Sequence, residues 1–90
     1  MSNEKETKTE ALERLQKEAE QELDTALKNS ERELKELMQS TARAREVAKD
    51  DYELAKIHNH YEWEIRQIQK GQAEASREVQ RRFFEKVKAL

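Results

Sequence analysis

The chain has 90 residues, 42% of them charged and 34% apolar, with one glycine, no proline, no cysteine and a formal net charge of −2. That length admits one domain at most, and the lack of cysteine excludes a disulfide framework and thiol chemistry. No apolar run reaches the length of a signal-peptide core or a membrane span, so the expectation is a soluble, cytoplasmic protein with no membrane contact.

Residues 1–10, MSNEKETKTE, carry no large apolar side chain after the initiator and read as a frayed or disordered lead-in. Thr9 is a candidate cap for the first helix, with Glu10 and Glu13 placed near its positive end. From there to residue 90 the composition is that of long helices, and the periodic placement of apolar residues separates the chain from a charged disordered segment.

The first helical stretch has an eleven-residue repeat. One row is Leu12, Leu23 and Leu34, a second is Leu15, Ala26, Leu37 and Ala48, and a third is Ala19, Ser30, Thr41 and Tyr52. Leu27 and Met38 widen this stripe on one side. Eleven residues make three turns at 3.67 per turn, close to the natural 3.6, so the stripe hardly drifts and suits a straight helix packed lengthwise on another.

A second stripe has the same period. Its rows are Ile57, Ile68, Val79 and Leu90; Leu54, Ile65, Ser76 and Val87; and Tyr61, Gln72 and Phe83. The two stripes are out of phase by two residues, which turns the apolar face by about 200°. The first stripe, continued, would place Arg45 and Lys56 in a core. A turn near residues 49–51 resolves the conflict, with Asp50 as N-cap and Glu53 three residues on. The alternative is one long helix, paired with a second chain as a coiled coil, that changes the side it buries.

Charge favours antiparallel arms. Residues 1–40 hold seven Lys/Arg against eleven Asp/Glu, and residues 61–90 hold seven against five. The expected fold is therefore all-α: a helical hairpin of two long antiparallel helices across residues 11–90. A two-helix hairpin has one seam and little interior, so a homo-oligomer, dimer or higher helical bundle, is also expected. Its seam residues are Leu12, Leu15, Leu23, Leu34, Leu37, Leu54, Ile57, Tyr61, Ile65, Ile68, Val79, Phe83, Val87 and Leu90.

Chemistry finds little support. His58 and His60 point about 200° apart on a helix, although His58–Glu62 and His60–Glu64 have a spacing compatible with metal ligands; surface His–Glu pairing is the simpler account. The carboxylates form a solvated face rather than a dry pocket, and no nucleophile elbow or phosphate loop occurs. No enzyme, cofactor or metal is expected. Isolated Gly71 either caps a helix or weakens one turn.

The candidate partner-binding residues lie in the second half. Trp63 and Phe84 sit beside the stripes, and Tyr52, where the first stripe runs out, lies beside the second, as aromatics offered to a further helix would. Arg77, Arg81 and Arg82 lie among Val79, Phe83 and Val87, and could touch an acidic helix or nucleic acid. The function expected is a protein–protein interaction module: adaptor, scaffold, chaperone or inhibitor. The alternative is a nucleic-acid-associated regulator using the basic C-terminal arm of a helical dimer.

Overall fold

In the computed structural model, which describes residues 6–90, two α-helices fold back on each other as an antiparallel hairpin: α1 (Lys8–Val47) and α2 (Asp51–Lys88). At 1.5 Å per residue their 40 and 38 residues make arms of roughly 60 Å. The hairpin measures 72 × 22 × 12 Å with a radius of gyration of 20.8 Å. A compact chain of this length would have about 12 Å, so the molecule is a rod with a seam rather than a body with a centre.

The first helix starts earlier than its sequence suggests. Its N-cap is Thr7, not Thr9: the Thr7 hydroxyl accepts from the Glu10 N–H at 3.1 Å, and the Glu10 carboxylate accepts from the Thr7 N–H at 3.0 Å. This reciprocal box needs a Glu or Gln three residues after the cap; Thr7 has Glu10, whereas Thr9 has Leu12. Residues 8–10 are thus the first turn of α1 rather than part of a lead-in, and residues 1–5 of that lead-in lie outside the described residues. The Thr7 backbone N–H, and then its hydroxyl, hold the Glu10 carboxyl below its ordinary value.

The turn falls between the stripes. α1 ends at Val47, Ala48 is extended, and its N–H donates to the Arg45 carbonyl at 3.3 Å. Asp50 caps α2 by accepting from the Glu53 N–H at 2.8 Å. The Glu53 carboxylate reaches one residue further back than a capping box requires, and accepts from the Lys49 N–H at 2.7 Å. Two side chains therefore stop and restart the helix without Gly or Pro, which sets aside the single-long-helix alternative. Arg45, on the row that would have been core, lays its guanidinium over the Tyr61 ring at 5.7 Å.

Along the hairpin, Glu18 stands by Lys86 at 3.7 Å and Glu22 by Arg82 at 2.6 Å, so four residues up one arm match four down the other. In the same register Ala19 and Leu23 share a groove with Val79 and Phe83, while Leu37, Thr41 and Ala44 share another with Ile57. Between them the seam narrows to small and polar side chains: Ala26 and Ser30 lie beside Gly71, Gln72 and Ala75. Of the seam rows, Leu15 and Val79 are buried; Leu12, Leu23, Leu34, Leu37, Ile57, Tyr61, Ile65, Ile68, Phe83 and Val87 are half-buried. Leu54 and Leu90 lie near the two ends of α2 and remain exposed in the single chain. Among the described residues no side chain is fully enclosed. Gly71 is neither a cap nor a turn but sits inside α2, with open space where a Cβ would project.

Candidate protein-docking surface

A two-helix hairpin has two broad faces, and the two differ in chemistry. On one, Glu18, Glu22, Ala26 and Asn29 of α1 border Ala75, Glu78 and Arg82 of α2. The same side continues toward the turn with Glu33, Glu36, Ser40, Lys56, His60 and Glu64. Here the arms are tied by the Glu22–Arg82 and Glu18–Lys86 pairs. This face carries the charged side chains that bridge the two arms, around grooves floored by Ala26, Ala75, Leu37 and Ile57.

The opposite face is apolar. Gln16, Ala19, Glu20 and Leu23 border Val79, Gln80, Phe83 and Phe84 there. The eleven-residue period carries that side along the hairpin: Leu12, Leu23 and Leu34 form one row of α1, and Leu27 and Met38 form the next row out. From α2, Phe84 borders the groove, and the eleven-residue row of Leu54, Ile65 and Val87 runs along the same side of the seam. Leu27 is 43% exposed, Met38 58% and Phe84 59%, so these large side chains stand open rather than capping the seam.

The residues expected to meet a partner do not form one patch. Tyr52 and Trp63 share an outer row of α2 that points away from α1, where Trp63 stacks on His60 with ring centroids 6.3 Å apart and Lys56 lies over the Tyr52 ring at 5.4 Å. Phe84 is on the apolar face, edge-on to Phe83 at 5.7 Å. Arg82 faces Glu22 across the seam on the polar side. Arg81 is held along its own helix by Glu78 and by Glu85, the latter at 2.6 Å. Those hydrogen bonds raise the guanidinium above its ordinary value, while the same Arg81 contact lowers the Glu78 carboxyl. Arg77 is exposed.

Leu27 and Met38 are the residues that sequence reasoning left out of the candidate site. Their signal was present, since they lie eleven apart beside the first stripe. In sequence it looks like a wider seam, because only the position of the second arm tells an inner row from an outer one. The two histidines are used locally, His58 with Glu62 at 3.1 Å and His60 with Glu64 at 3.7 Å. Among the described residues no helix is long and apolar enough to cross a membrane. Comparison with known proteins found no matching family model, no matching curated protein and no matching solved structure.

Proposed function

We propose that the chain is a non-enzymatic protein–protein interaction module, a small cytoplasmic adaptor, scaffold, chaperone or inhibitor, that docks a helical partner on its apolar face. The observation that carries this reading is the row of Leu27 and Met38 beside Leu23, Leu34 and Phe84. Leu27, Met38 and Phe84 are large apolar side chains open to solvent on one side of the hairpin, and the two ion pairs that tie the arms lie on the other. Large apolar side chains left exposed on one face of a helix pair mark a candidate interaction site. A straight groove between two helices, lined at eleven-residue intervals, accepts another straight helix lengthwise.

A nucleic-acid role through the basic arm has less support. Arg81, Arg82 and Lys86 are each engaged by a carboxylate of this chain, which lowers the positive potential that phosphate binding needs. The test compares tagged wild type with Leu27→Glu/Met38→Glu and with Arg43→Glu, an exposed residue on the opposite face. A protein partner, another chain or a second copy, should be retained by wild type and by Arg43→Glu and lost by the face variant. Equal retention by all three contradicts it. A shift on DNA or RNA that weakens steeply with added salt would favour the nucleic-acid reading instead.

A further inference from the structure

The apolar face carries a pattern of charge along its rims that says what fits it. On the α1 rim stand Glu13, Glu20, Asp24 and Glu31, with Lys35 the exception; on the α2 rim stand Arg66, Arg77 and Lys88, with Glu62 the exception. Among the described residues Glu13, Glu20, Glu31, Arg66, Arg77 and Lys88 have no ion pair, and Asp24 pairs only with Lys28 on its own helix. One rim is mainly acidic and the other mainly basic, and among the described residues no ion pair joins the two rims.

Area points the same way. The chain exposes 7334 Å². A folded monomer of 10.7 kDa typically exposes about 5,500 Å². The surplus is well over ~1,000 Å² per chain, so two chains covering it would bury more than roughly 2,000 Å², the range of obligate homodimers.

Resting on the docking reading above, we infer that the occupant of the apolar face is a second copy of this chain, with the two turns at the same end of the assembly. Two copies stacked face to face can be related by a two-fold axis either along the hairpin or across it. An axis across it lays α1 on α1 and brings the acidic rims together. An axis along it lays α1 of each copy on α2 of the other, acidic rim on basic rim. Heights along the hairpin are then preserved, so the register set by Glu18–Lys86 and Glu22–Arg82 brings Glu13 about level with Lys88 of the second copy, and Asp24 with Arg77. All neighbouring helices in this bundle of four run antiparallel. Leu23 then stands about level with Phe84 of the second copy, and Met38 with Ile65, across the new core.

The test uses the full chain carrying one spin label at Lys49→Cys, an exposed position in the turn, with mass read by light scattering at ~100 µM. The expected result is about twice the 10.7 kDa chain mass and a label-to-label distance of roughly 20–30 Å, two to three helix diameters. A dimer with labels separated by a distance near the 72 Å length overturns the orientation. A monomer at this concentration overturns the second copy as occupant. The docking reading then stands or falls separately, on whether the Leu27→Glu/Met38→Glu variant loses a protein that wild type retains. A dimer whose mass is unchanged in that variant overturns both.

Discussion

Arg82 of α2 donates to Glu22 of α1 at 2.6 Å across sixty residues of sequence, and this contact fixes the register of the two arms. With Lys86 beside Glu18 one turn away, it ties the acidic first arm to the basic second arm on the polar face. Both partners are roughly half exposed, so the pair is worth about 0.2–1 kcal/mol. Arg82→Glu should lower stability by somewhat more than that, because it sets two carboxylates side by side. Adding Glu22→Arg should restore most of the loss, as measured by a double-mutant cycle from urea melts. Absence of any coupling between the two sites would contradict the register.

The turn depends on two carboxylates. Asp50→Ala removes the acceptor for the Glu53 N–H and should cost about 1 kcal/mol, whereas Asp50→Gly should cost only a few tenths. Replacing Lys49-Asp50 by Gly-Gly should therefore shift the thermal midpoint by only a few degrees and leave one transition. Had a helix run through this point, two glycines at mid-length would each cost roughly 0.8–1.0 kcal/mol. A large fall or a biphasic melt would be inconsistent with a turn here.

Gly71 lies in a helical conformation inside α2, with nothing within 4 Å of a Cβ added there. Gly71→Ala should raise stability by up to about 1 kcal/mol by lowering the entropy of the unfolded chain and favouring the helix. A loss of stability in urea melts would mean that the waist of the seam is closer than this hairpin places it.

Acid should loosen the molecule in a defined window. The Thr7 N–H and hydroxyl hold Glu10 below its ordinary value, and Arg81 does the same for Glu78. A carboxyl depressed in the folded state contributes stability that is fully present above its unfolded pKa, about 4.3, and is lost as pH falls through the folded value. Both groups are exposed, so each contribution is small. Carboxyl NMR titrations should place both midpoints below the ordinary glutamate value, and Glu10→Gln should flatten the fall of the melting midpoint in acid. A Glu10 midpoint at or above the ordinary value would contradict the Thr7 cap.

Much of the fold was legible because the information was one-dimensional. The eleven-residue rows of Leu12, Leu23 and Leu34, and of Ile57, Ile68 and Val79, identify two straight helices, and their phase jump locates the break that Asp50 caps. Thr7 and Thr9 are both threonines near the first apolar residue, and what separates them is the Glu10 carboxylate, which reaches back to the Thr7 N–H. The candidate surface was harder. Tyr52, Trp63 and Phe84 look alike in sequence as aromatics beside a stripe, yet Phe84 borders the groove while the other two point away from α1. Which flank of a stripe stays open is decided by where the second arm lies, and no local pattern records that.

Met38 offers the most direct measurement of the central claim, that the apolar face is a docking surface occupied by a second copy. In the single chain its side chain is 58% exposed, and its thioether is open to peroxide. Its rate of oxidation to the sulfoxide can be followed by mass spectrometry at high and at very low protein concentration. Met38 should oxidise at close to the rate of free methionine when dilute, and several-fold more slowly at ~100 µM. A fast rate that does not change with concentration would contradict it.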